Sequence, residues 1–316
     1  MIQTFKGKFI KNKSLFVLIL FSLVIAALNP RFLTISNTLN VLRQTSINSI
    51  IAAGMTFVIL SGGIDLSVGS ILAVSGAVSA SMIAGGTNIF AAVLAALTIG
   101  AVIGAFNGIV ISKGKIQPFI ASLATMTLLR GYTLVFTDGK PISTGSFESA
   151  GVFSSIGAGY FLGVPIPIYI MVTVFALAYY ILRHMRIGRY IYSLGCNEEA
   201  NVYSGINADR IKIFVYTVSG FLSALAGIII TARLSSAQPQ AGSGYELDAI
   251  AAVVLGGTSL SGGLGGIFGT IIGALIIGVL NNALNLMNVS SYYQLLLKGL
   301  VILAAVLLDR KQKLSK

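Results

Sequence analysis

The chain has 316 residues, of which 55% are apolar and only 9% are Asp, Glu, Lys or Arg. Soluble domains carry about 25% charged residues, so this composition excludes a water-facing globular enzyme and a disordered chain. One cysteine, Cys196, and one histidine, His184, also exclude a disulfide framework and a Cys/His metal cluster within a single chain.

What remains is an all-α membrane protein that crosses the bilayer many times. A bilayer core needs about 20 apolar residues per helix. Ten stretches serve as candidate spans, at 14–29, 46–62, 64–84, 88–112, 116–137, 165–182, 213–232, 249–261, 264–287 and 291–308. The 249–261 stretch is short, and 46–62 is barely long enough. The lysine-rich start followed by an apolar run has the outline of a secretory signal, and is read here as the first span. The whole of 1–316 is expected to form one membrane domain.

The net charge of +12 is explained by orientation. If the ten spans alternate, fifteen of the 21 basic residues share one side. They include Lys6, Lys8, Lys11 and Lys13 before the first span, and Arg183, Arg186, Arg189, Arg210 and Lys212 in the 183–212 loop. Arg310, Lys311, Lys313 and Lys316 close the chain on the same side. Cytoplasmic loops carry the excess of Lys and Arg, so both termini and the 183–212 loop are expected to be cytoplasmic.

An internal echo divides the chain into two pseudo-repeated halves. Residues 58–69 (VILSGGIDLSVG) and 253–263 (VVLGGTSLSGG) share an apolar run, a Gly-Gly pair, a Leu-Ser and a Gly in the same order. Short apolar segments broken by glycine at matching positions of two halves point to a transporter's central pathway. The expected pathway residues are Gly62, Gly63, Asp65, Ser67 and Asn107 in the first half, and Gly256, Gly257, Asn281, Asn285 and Lys298 in the second. Ionisable groups inside spans are functional candidates by default, which singles out Lys298 and Asp65. Amides would bond a polyol weakly or tie helices together. Glycine ladders at Gly100, Gly104, Gly108 and at Gly265, Gly269, Gly273 are read as packing surfaces.

In the 183–212 loop, Asn197 is a good helix N-cap, with Glu198 and Glu199 in the first turn and Gly205 as a left-handed stop. Ala200, Asn201, Val202, Tyr203 and Ser204 fill the space between, with Val202 and Tyr203 as apolar handles. So small a helix is not stable alone and needs a surface to rest on.

The run from Arg189 to Ala200, with Ser204-Gly205-Ile206 and Lys212, resembles the coupling loop of the sugar permeases of binding-protein-dependent ABC importers. Leu234–Pro239, Gly244–Leu260, Gly63–Gly69, Gln44-Thr45-Ser46 and Ser290–Gln294 are similar to the same family, so the match covers about 14–308. The resemblance implies a homodimer in the bacterial inner membrane, a cytoplasmic ATPase subunit and a periplasmic sugar-binding protein, with ribose the expected sugar. It also implies that Asn197–Gly205 is the helix seated on the ATPase, and that the outer loops 138–164 and 233–248 receive the binding protein.

No catalytic constellation and no metal-ligand set can be assembled. Gly-Lys occurs at 7–8, 114–115 and 139–140, never followed by Ser or Thr, so no phosphate-binding loop is present. The chain is therefore not expected to be an enzyme or to hold a cofactor, with ATP and Mg residing on the partner subunit. A permease for another monosaccharide or a furanose-like signal shares these features, and an ion-coupled secondary transporter shares the broken repeats.

Overall fold

The computed structural model describes residues 13–290, 292–301 and 303. In chain order its elements are α1 (Lys13–Leu28), a 3-10 turn (Pro30–Leu33), α2 (Ile35–Leu60), α3 (Val68–Ala84), α4 (Ile89–Ser112) and α5 (Pro118–Thr137). The order continues with β1 (Ile142–Ser143), α6 (Glu148–Ala158), β2 (Tyr160–Phe161), β3 (Val164–Pro165), α7 (Ile166–His184), α8 (Arg186–Cys196) and α9 (Glu198–Tyr203). Then come α10 (Ala208–Leu234), β4 (Ser236–Ala237), α11 (Tyr245–Leu255), α12 (Ile267–Leu286) and a helix over 292–301. Lys6, Lys8, Lys11, Arg310, Lys311, Lys313, Lys316 and the end of the 291–308 span lie outside the described residues.

Local chemistry sets several of these boundaries. Thr34 caps α2 and Asn88 caps α4, each accepting a backbone N–H of the first turn. α5 opens on Pro118, whose missing N–H costs nothing at that position. By length and composition, α4, α5, α7, α10 and α12 can each cross a membrane. Phe90, Leu94, Val102 and Phe106 of α4 all point outward. Such a face meets lipid rather than water.

α2 and α10 form the central pillar. Ile50 to Leu60 is buried on every side, and α10 buries Tyr216, Ser219, Gly220 and Ser223 against its neighbours. α4 lies directly on α10 because its glycines leave no side chain between the backbones. A Cβ at Gly100 would strike Ala224, at Gly104 the carbonyl of Tyr216, and at Gly108 the Cα of Ile213. The second ladder is shorter than expected. Gly269 and Gly273 meet the backbone of α11 at Gly256 and Ala252, but Gly265 lies in the irregular segment before α12.

Several expected spans change. α2 begins at Ile35, well before 46, because Asn37, Asn40, Gln44 and Asn48 recur at helical spacing. Their polar stripe lowers the hydropathy although the helix continues. α3 begins at Val68 rather than 64, since the chain is irregular from 61 to 67. α11 stops at Leu255 instead of 261, and its 11 residues reach only about 16 Å against a bilayer core of about 30 Å. α11 is a half-helix, not a span. Opposite the 183–212 end, the two loops expected to receive a partner are joined: β1 pairs with β4, Ile142 opposite Ala237.

Close backbone approach makes a sharp prediction. Gly104→Val should lower stability by about 1–3 kcal/mol through overpacking, whereas Gly131→Ala, with nothing near the added carbon, should not. Thermal unfolding of the detergent-solubilised chain, followed by circular dichroism, measures both.

Candidate functional site

The two halves break their helices in the same way. At the end of α2, Gly62 N–H bonds Ile59 O at 2.9 Å and Gly63 N–H bonds Val58 O at 3.0 Å. At the end of α11, Gly257 N–H bonds Val254 O at 2.8 Å and Thr258 N–H bonds Val253 O at 3.1 Å. Gly62 and Gly257 take φ of +85° and +89°, left-handed values that require glycine at this kind of helix stop. The sequence echo is thus a repeated backbone turn.

The expected pathway residues fall in separate places. Asp65, Ser67 and Asn107 are fully buried in a closed hydrogen-bond network. Ser67 donates to Asp65 Oδ1 through N (3.0 Å) and Oγ (2.6 Å), and Ser219 Oγ donates to Oδ2 at 2.8 Å. Asn107 Nδ2 then donates to Ser67 Oγ at 2.9 Å, and Thr125 Oγ1 to Asn107 Oδ1 at 2.6 Å. This network ties the α2–α3 break to α4, α5 and α10.

Asn281, Asn285 and Lys298 do share a space. They line a polar cavity of about 270 Å³ together with Thr45, Asn48 and Asp248. Lys298 Nζ lies 2.9 Å from Asp248 Oδ2, and Asn48 Nδ2 donates to the same oxygen at 3.3 Å. The intramembrane lysine is therefore ion-paired. Asn282, which also lines the cavity, exchanges hydrogen bonds with Asn37 at 3.0 and 3.1 Å and ties α12 to α2.

The 183–212 segment is more ordered than its sequence suggests. Asn197 caps α9 by accepting Ala200 N–H at 2.9 Å, and Gly205 follows with φ of +79°. Before it, α8 is an unexpected amphipathic helix, with Gly188, Ile191 and Leu194 on its buried side. Their spacing was visible, but the surrounding arginines gave the stretch a loop's composition. Asn201, not singled out from sequence, anchors α9. Its amide donates to Ser193 O (2.8 Å) and Asn197 O (2.6 Å) while Ser193 Oγ donates to Oδ1 (2.6 Å). A Lys212–Glu198 ion pair at 2.5 Å adds a tie to α10. Val202 and Tyr203 are left free, Tyr203 at 90% exposure.

This segment meets both helix breaks at one place. Gly263 N–H donates to Leu60 O at 3.0 Å, and a Cβ at Gly195 would strike those same two groups. A Cβ at Gly263 would strike Cys196, and one at Gly262 would come 2.9 Å from both Gly195 Cα and Gly62 N. Among residues missed from sequence, Arg130 holds the 233–248 loop by donating to Pro239 O at 3.0 Å and Ala241 O at 2.9 Å.

Residues 37–306 match the family described as branched-chain amino acid transport system / permease component. The chain belongs to this permease family. It is similar to the ribose import permease protein of Haemophilus influenzae, 60% identical over 304 residues that cover 96% of this chain and 94% of the relative. The ribose import permease protein of Escherichia coli is 57% identical over 98% of this chain and 96% of its own. The D-allose transport system permease protein of the same organism is 40% identical over 95% and 91%. No solved structure matches the chain. As a permease, the protein is a multi-pass membrane protein, and the relatives are transport subunits rather than enzymes.

The buried network carries its own prediction. Asp65→Ala strands the Ser67 and Ser219 donors and should cost at least about 2 kcal/mol, with Asp65→Asn recovering part of the loss. The unfolding midpoint of the purified permease reads both variants.

Proposed function

We propose that this chain is the membrane subunit of an ATP-driven ribose importer in the bacterial inner membrane. It works as a homodimer of multi-pass subunits whose 183–212 loop faces the cytoplasm. A periplasmic sugar-binding protein delivers the sugar to the 138–164 and 233–248 loops. A cytoplasmic ATPase subunit drives the cycle through Asn197–Gly205.

The observation that carries the substrate is the contrast within one organism. Similarity to the ribose permease of Escherichia coli is far higher than to its allose permease, over nearly the same length. The reading of a partner ATPase is supported by the chain's lack of a Gly-x-x-x-x-Gly-Lys-Ser/Thr run, ATP and Mg then belonging to another chain, and by the exposed Val202 and Tyr203. These are surfaces for a partner: an apolar, aromatic tip beside Glu198 and Glu199. Closure of the ATPase would push this tip, and the push would reach the helix breaks through the joint at Gly195, Leu60 and Gly263.

Uptake of radiolabelled ribose, in cells lacking their own permease but supplied with the binding protein and ATPase, tests the reading. Wild-type chain should restore uptake; accumulation driven by an ion gradient without ATPase would contradict it. Val202→Glu and Gly205→Pro should abolish uptake while membrane insertion and ATP hydrolysis persist. Tyr203→Ala should weaken ATPase association by about 2 kcal/mol, measured by co-purification and titration.

A further inference from the structure

The polar cavity has properties that a mere passage does not need. Its volume of about 270 Å³ lies just below the range of drug-sized ligand pockets, about 300 to 1,000 Å³. A single monosaccharide suits that space. One wall holds a carboxylate fixed by two donors, Lys298 and Asn48, with Arg233 beside them and the ring of Tyr245 forming part of the lining. Planar polar groups next to an aromatic face complement a molecule with hydroxyls on its edge and C–H bonds on its face.

The wall also contains unused hydrogen-bonding capacity. Thr45 Oγ1, Asn48 Oδ1 and Asn281 Oδ1 are buried without a hydrogen-bond partner. They are three of the seven such side-chain atoms among the described residues. Native structures leave few buried polar atoms unpaired, so three around one small cavity mark a surface built for an occupant that brings its own hydroxyls. Lys298 is already paired with Asp248, which favours a neutral polyol over an anion.

We propose that this cavity is a monosaccharide-binding site within each subunit, so that the membrane chain itself reads the sugar instead of only opening a way through for it. The proposal rests on the reading of the chain as a sugar permease and places the sugar between α2, α11, α12 and the helix over 292–301. Asn281 and Thr45 act as hydroxyl partners, and the Asp248–Lys298 pair orients the ring.

The test uses the purified full-length permease in lipid nanodiscs, with radiolabelled D-ribose as the probe in a scintillation proximity assay. Saturable binding in the millimolar range is expected, displaced by unlabelled D-ribose and poorly by L-ribose. Thr45→Val and Asn281→Leu should each raise the dissociation constant about tenfold. Because they remove unpaired buried oxygens, they should leave the unfolding midpoint unchanged or raised. A lowered midpoint with intact ribose binding would assign these residues a structural role and overturn the proposal. So would ribose 5-phosphate binding more tightly than ribose. Absence of saturable binding, in a preparation that imports ribose once joined to its ATPase and binding protein, would mean that water alone fills the cavity, leaving the permease reading intact. Failure of the assembled system to import ribose would instead overturn that reading.

Discussion

Within a bilayer, a backbone that leaves the helix has no water to bond, so each freed N–H and C=O needs a partner inside the protein. This chain breaks its helices twice, and how those breaks are satisfied governs the rest of the architecture. Each break first closes on itself through the glycine stop at Gly62 or Gly257. Neighbours supply what remains. Ile64 O accepts Tyr216 Oη at 3.2 Å and Ser122 Oγ at 3.3 Å, and Ser67 N–H turns to Asp65. Across the second break, Ser259 N–H bonds Leu264 O at 2.9 Å and Gly266 N–H bonds Thr258 Oγ1 at 3.3 Å. Gly263 N–H, bonded to Leu60 O, joins the two breaks.

Short reach is the condition for all of these bonds, and glycine provides it. Tyr216 can contact the α2–α3 break because α10 lies flush against α4 at Gly104, and because Gly63 has no side chain where the phenol sits. The buried Asp65 is tolerated for the same reason. Among the described residues no cation pairs with it, but three donors at 2.6–3.0 Å satisfy its oxygens. An unpaired carboxylate at that depth would cost far more than the hydrogen bonds return. The network around Asp65 is thereby fully bonded. Thr45, Asn48 and Asn281, drawn from both halves, instead keep unpaired oxygens around a cavity.

That asymmetry marks the limit of what could be read from the sequence. α4, α5 and α7 were placed within about two residues because lipid demands a run of about 20 apolar residues, a purely local rule. Asn197 and Gly205 were legible because capping is local too. The polar half of α2 was not, since Asn37 and Asn48 find their partners more than 190 positions away, in Asn282 and Asp248. Asp65 and Lys298 looked alike as intramembrane charges, yet one closes a network and the other borders a cavity. Asn281 and Asn282 are adjacent in sequence and both line the cavity, but Asn282 is tied to Asn37 while Asn281 Oδ1 has no partner. Distinguishing such pairs requires knowing what faces them, which no spacing rule contains.

The half-helix α11 connects these parts mechanically. Its C-terminal end, at Gly256, leads into the loop whose Gly262 and Gly263 touch Gly195 and Cys196 at the end of α8. Near its N-terminal end, Asp248 holds Lys298 and Asn48 at the cavity. Along its length it is fixed to α12, since Gly269 and Gly273 meet its backbone directly and leave no side chain to absorb a displacement. α11 and α12 are therefore packed as one unit that holds Asp248 and Asn281, while Asn48 sits on α2 and Lys298 on the helix over 292–301. Any movement of that body relative to the pillar changes the Asp248–Lys298 and Asp248–Asn48 distances. If the proposed ATPase contact displaces α9 and the Gly195 joint, the same backbone contacts would carry that strain to the cavity, because close-packed interiors transmit strain.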